Sequence, residues 1–239
     1  MSTITDAKAL VEVGGGWIGH HAATLLRVVR GPVAFVDTLD LDTAPPVSDA
    51  ALFAVFISLV SLVLQVPLFR TLGVEVEGTA YVLVDTVMTF AFWFIQAVIL
   101  HSVARLLGVR RRSFQATLVC FLYLTAFMPI ATVISAPFGL GARRWMIDDG
   151  DVAGLLKGDI AIRLLAGSPA IAASAIAMII FGLCLIGVYA AVFRAAYRIS
   201  LTRSLAIILV SAGAYFVWSV AIETPVQQMV FRAFHRPAS

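Results

Sequence analysis

Five separate stretches of this chain are each long and apolar enough to cross a lipid bilayer, and that constrains the fold more than any other feature. A spanning helix needs about 20 mostly apolar residues. The stretches fall at residues 50–69, 80–106, 114–138, 169–193 and 204–222. The first holds only Gln65 as a strongly polar residue, and the second contains Asp85, Gln96 and His101. The third is interrupted late by Pro129 and Pro137. Composition agrees: 61% of the 239 residues are hydrophobic and 13% are charged, with a mean hydropathy of +0.97. Average soluble domains are roughly 25% charged, and a water-facing exterior has no use for so much apolar surface. The sequence therefore predicts an all-α polytopic membrane protein, a bundle of five transmembrane helices. A soluble enzyme or a nucleic-acid binder is excluded, even though the net charge is +3 and the pI is near 9.1.

In a membrane chain the placement of positive charge matters more than its sum, because it orients the spans. The loops after spans two and four carry Arg105, Arg110, Arg111 and Arg112, then Arg194, Arg198 and Arg203, with no acid between. The loop at 143–163 sets Asp148, Asp149, Asp151 and Asp159 against its positive residues. This asymmetry predicts a cytoplasmic N-terminus and, after five spans, a C-terminus outside. The first 13 residues carry Asp6, Lys8 and Glu12 and lack an apolar core followed by a cleavage site, so no signal peptide is expected. Cys120 and Cys184 lie inside apolar runs and read as small buried hydrophobes.

Residues 1–48 read as a cytoplasmic segment, 49–222 as the membrane domain and 223–239 as a short tail. Gly14, Gly15 and Gly16 are expected to break any earlier helix. After them Trp17, Leu25, Val28 and Val29 recur near helical spacing, with His20, Arg27 and Arg30 elsewhere on the surface. That pattern predicts an interfacial N-terminal helix with Trp17 as its anchor, followed by an acidic, proline-containing linker over 37–46.

Motifs for catalysis, phosphate binding or zinc are missing, so no catalytic, cofactor or metal residue is assigned and no enzyme activity is expected. Ionisable groups at membrane depth need a reason to be there. Thr89 follows Asp85 by four residues and Gln96 by eleven, which at about 100° per residue returns to within about 20° of the start. Asp85, Thr89 and Gln96 thus share one polar stripe that should face other helices, either as interhelical hydrogen bonds or as part of a polar path. His101 lies about 160° away from Asp85. Glu223 is expected at the end of span five, at the outer interface. Arg110, Arg111 and Arg112 form the densest basic cluster, a candidate contact for anionic lipid headgroups or a cytoplasmic partner. Ala170, Ala173, Ala177 and Gly182 suggest close helix packing within the bundle through span four.

Residues 97–129 read AVILHSVARLLGVRRRSFQATLVCFLYLTAFMP. A histidine late in a span, the Gly108 turn, a basic loop, Phe114, Tyr123 and Pro129 follow in order. Residues 183–210 read LCLIGVYAAVFRAAYRISLTRSLAIILV, a span, a basic turn and another span. Together with Pro32 and Phe35 ahead of span one, this order resembles the Ypt-interacting-protein (Yip) domain family over residues 26–222. The chain departs from the family pattern at 124–128 and in its acidic 143–163 loop. The resemblance implies a five-span domain, and its compact loops suggest a member in a bacterial inner membrane. The function expected is a non-enzymatic scaffold or interaction protein, with lipid, a membrane-protein partner or a second copy as partner. The alternative is a small transporter or channel component using Asp85, Thr89 and Gln96.

Overall fold

The computed structural model describes residues 2–71, 79–149 and 167–234. Every element among the described residues is helical. In chain order these are α1 (Ser2–Arg30), α2 (Pro32–Asp37), α3 (Val47–Thr71), α4 (Thr79–Leu106), α5 (Phe114–Leu124), α6 (Met128–Asp149), α7 (Pro169–Tyr197), α8 (Leu201–Trp218) and α9 (Thr224–Phe234). A 3₁₀ turn, Thr125–Phe127, joins α5 to α6, and a π turn, Ser219–Glu223, joins α8 to α9. Five membrane-length apolar spans result: Val47–Leu64, Thr86–Leu106, Phe114–Phe138, Pro169–Tyr197 and Leu201–Gln227. The protein is an all-α polytopic membrane protein.

Burial makes span three the axis of the bundle. In it 56% of residues are buried, against 17% in spans four and five, which present most of their surface outward. Val119 and Leu124 of span three pack with Phe53 and Ile57 of α3, Val192 and Phe193 of α7, and Ile207 of α8. Prolines shape this axis. Pro129 has no N–H for the Thr125 carbonyl, and the Met128 N–H takes that carbonyl instead, tightening the chain into the 3₁₀ turn. Pro137 sits inside α6, and one turn before it the Ser174 hydroxyl of α7 donates to the Ile134 carbonyl at 2.5 Å.

Several local expectations are corrected. Gly14–Gly16 do not break the helix; α1 runs through them. Glycine costs a helix interior about 1 kcal/mol relative to alanine but forbids nothing sterically. Trp17 does not anchor outward: it packs on His21 and on Phe56 of α3. Trp17, His21, Thr24 and Val28 form the docked face of α1, while Ile18, Leu26 and Val29 remain exposed beside it and His20, Arg27 and Arg30 occupy a third face. Those three faces suit a helix shared between bundle, lipid and water. Of the small residues of span four, Ala170 and Ala173 are exposed, Ala177 is half-buried, and nothing lies within 4 Å of a Cβ placed at Gly182. The buried residue there is Ser174. Cys120 is buried, whereas Cys184 is exposed. Span five does not stop at residue 222, because the helix continues through the π turn into α9.

Candidate functional site

Two polar assemblies tie the spans together, one at the end of the bundle carrying the short basic turns and one deeper between α4 and α8.

The two basic turns are built alike. After α4, the Gly108 N–H donates to the Arg105 carbonyl at 3.1 Å and the Val109 N–H to the Ala104 carbonyl at 2.9 Å. After α7, the Arg198 N–H donates to the Ala195 carbonyl and the Ile199 N–H to the Arg194 carbonyl, both at 3.2 Å. Each closure needs a left-handed residue: φ is 80° at Gly108 and 52° at Arg198. Each next helix then starts on a serine. The Ser113 hydroxyl accepts from the Ala116 N–H, and the Ser200 hydroxyl accepts from the Arg203 N–H, satisfying donors that a helix start leaves unpaired.

Arg112 joins these turns. It is 7% exposed, it forms an ion pair with Asp42 of the linker, and its Nε donates to the Ala196 carbonyl at 2.6 Å. It therefore does not belong with Arg110 and Arg111 as a surface contact; those two are exposed. A buried guanidinium needs both a counter-charge and acceptors for its N–H groups, and the linker and α7 supply them. Nearby, His101 Nδ1 and the Thr117 hydroxyl are 2.9 Å apart, and Thr117 is also hydrogen-bonded to the Tyr197 hydroxyl. Spans two, three and four are thus linked side chain to side chain.

His21 sits where α1 meets α3. Its ring stacks on Phe56, with centroids 5.8 Å apart, and lies against Trp17, His20 and Phe53. It is 3% exposed, and its Nδ1 has no hydrogen-bond partner. Burial and the neighbouring His20 hold its pKa below the usual histidine value, with Asp49 opposing them. Asp40 lies in the exposed linker, where the Thr43 hydroxyl and the backbone N–H groups of Asp42 and Thr43 donate to its carboxylate. Those bonds favour the charged form and lower its pKa.

The deeper assembly is a seam between α4 and α8. The Tyr215 hydroxyl donates to Glu223 Oε2 at 2.5 Å, and Gln227 Nε2 approaches Glu223 Oε1 at 3.5 Å. The Gln96 and Ser219 side chains lie close enough to the Tyr215 hydroxyl to act on it electrostatically. The π turn brings Glu223 within reach of Tyr215, eight residues earlier. Glu223 is therefore not a solvated span end but half-buried within a continuous helix. Of the predicted stripe, Gln96 meets span five in this way. Thr89 is half-buried one face-repeat away and has interactions of its own. Asp85 has its backbone in α4, but its side chain lies outside the described residues, as do Gly150, Asp151 and Asp159 of the acidic loop. The other half of the seam, Tyr215, Ser219, Glu223 and Gln227, was hidden by reading residue 222 as a span end. Its one signal was the four-residue spacing of Ser211, Tyr215, Ser219, Glu223 and Gln227.

No group of three or more His, Cys, Asp or Glu side chains that could hold a metal occurs among the described residues. Compared with protein-family models, curated proteins and solved structures, the chain matches none.

Proposed function

We propose that this integral membrane protein is a non-enzymatic scaffold or interaction protein that organises a membrane or assembles a partner. The observation that carries the reading is the Arg112 joint. One buried guanidinium links the N-terminal linker, the turn after span two and the end of span four. The end of the bundle becomes a fixed platform, and Arg110, Arg111, Arg194, Arg198 and Arg203 stand exposed on it. Such a surface suits presentation to a partner more than chemistry. The positive charge on these turns argues that the platform is cytoplasmic, with the C-terminus outside. A bacterial inner membrane and a Yip-like role, in keeping with the resemblance in residues 26–222, complete the proposal.

The seam supports a second reading, a small transporter or channel component whose polar path runs along Asp85, Thr89, Gln96, Tyr215 and Glu223. A carboxylate held at a π turn inside a span is the kind of group that ion and proton paths use. Water access separates the two. Single cysteines at Thr89, Gln96 and Ser219, in a background lacking Cys120 and Cys184, are exposed to a membrane-impermeant thiol reagent from each side. The scaffold reading expects no labelling at any of the three. Labelling at all three would discard it in favour of the transporter.

A further inference from the structure

We propose that the two basic turns form a binding site for the headgroup of an anionic phospholipid, with Arg110, Arg111 and Arg198 as its charged contacts. The proposal deepens the scaffold reading by naming what the platform takes as partner.

Three observations converge. First, the turns share one closure, yet the left-handed position is glycine in one and Arg198 in the other. That conformation is easy for glycine and costs a residue with a Cβ. Arg198 is exposed, so packing does not explain it; a charged side chain needed at that place does. Second, Arg112 ties its turn to the end of span four through the Ala196 carbonyl, two residues before Arg198, and Arg110 and Arg111 immediately precede Arg112 in that turn. Asp42 is paired with Arg112, and the remaining acids of this segment, Asp37 and Asp40, are outnumbered by the exposed Arg105, Arg110, Arg111, Arg194, Arg198 and Arg203. The exposed guanidiniums are left with surplus positive charge, and their planar forks match phosphate oxygens. Third, apolar side chains stand exposed beside them. Leu106 is 85% exposed, and Leu107 and Leu201 are exposed as well. A soluble anion has no use for flanking leucines, whereas a phospholipid presents phosphate and hydrocarbon side by side.

The test uses the full chain in nonionic detergent micelles doped with phosphatidylglycerol or phosphatidylcholine, with thermal unfolding as the readout. Phosphatidylglycerol is expected to raise the unfolding midpoint, and phosphatidylcholine to raise it less. Arg198→Gly is expected to keep or raise the midpoint without lipid, because strain is relieved, yet to need about fivefold more phosphatidylglycerol for half-saturation. Arg198→Lys keeps the charge but not the fork, and is expected to lose less of the response than Arg198→Gly. Arg110→Gln with Arg111→Gln is expected to weaken it further, by about fivefold for each charge removed. Equal shifts from the two lipids would overturn the proposal, as would a full phosphatidylglycerol response in Arg198→Gly. A shift reproduced by inorganic phosphate alone would assign the site to a soluble anion and overturn it too. The scaffold reading fails on seam labelling, a separate measurement, so the two failures are distinguishable.

Discussion

Arg112 and Asp42 depend on each other unequally. The Asp42 side chain is 55% exposed and that of Arg112 only 6%. Removing Arg112 returns a carboxylate to water, whereas removing Asp42 strands a guanidinium inside the bundle that still donates to the Ala196 carbonyl but has lost its counter-charge. Breaking a buried pair from one side costs about 3–5 kcal/mol when the survivor cannot reach water, and an apolar replacement of the pair is often neutral. Asp42→Ala is therefore expected to destabilise by about 3 kcal/mol, and Arg112→Met by clearly less. The double variant should recover most of the Asp42→Ala loss. Chemical or thermal unfolding in detergent checks the ranking; a milder loss for Asp42→Ala than for Arg112→Met would refute it. Nothing in the run Arg110–Arg112 distinguishes its third arginine from the first two. Its burial is set by the linker and by α7, some 70 and 84 residues away in sequence, so it was not legible in local pattern.

The docking of α1 is expected to respond to pH. Its docked face places His21 among aromatic rings with an unpartnered Nδ1, so docking favours the neutral ring. The undocked helix binds a proton near the ordinary histidine value of 6.5, while the docked one binds it at lower pH. Between those values the undocked state holds more protons, so docking strengthens as pH rises through this window. Docking is thus complete above about pH 6.5 and is progressively lost as pH falls below it. Hydrogen exchange over residues 17–28, corrected for intrinsic rates, is expected to quicken on acidification. His21→Phe should remove most of that dependence while keeping ring packing, and His20→Gln should leave most of it. An unchanged pH response in His21→Phe would mean that another group governs docking. At this scale the sequence was most legible for the uniformly apolar spans, whose starts and ends fell within a few residues of 80–106 and 114–138. It misled where one residue type has two readings. Three glycines suggested a break, but a helix only loses a little stability through them. Pro225 and Glu223 near residue 222 suggested a span end, but Glu223 lies in a π turn, Pro225 in the first turn of α9, and the helix runs on to Phe234.

Across the whole molecule, tight packing concentrates at the platform and along span three, while spans four and five turn most of their apolar surface outward. Span five meets span two through the Phe92–Trp218 ring contact and through the polar seam, where the Tyr215 hydroxyl donates to Glu223 with Gln96 and Ser219 close by. Of the stripe Asp85, Thr89 and Gln96 read from periodicity, Gln96 stands on the span-two side of that contact. The facing side required knowing which span lies opposite, which periodicity within one helix does not carry. Removing the hydroxyl tests how the seam meets its solvent. In a sealed seam, Tyr215→Phe leaves Glu223 short of a donor, a loss of about 1–3 kcal/mol. It should also be non-additive with Glu223→Gln, because the two act through one hydrogen bond. In a water-filled seam, water replaces the hydroxyl and the loss falls toward zero. Unfolding of the single and double variants in the same detergent measures both quantities. A full loss with strong coupling fits a closed bundle whose working surface is the platform. A negligible loss with additive variants puts water between spans two and five, and the polar groups there would then be the working part of the molecule.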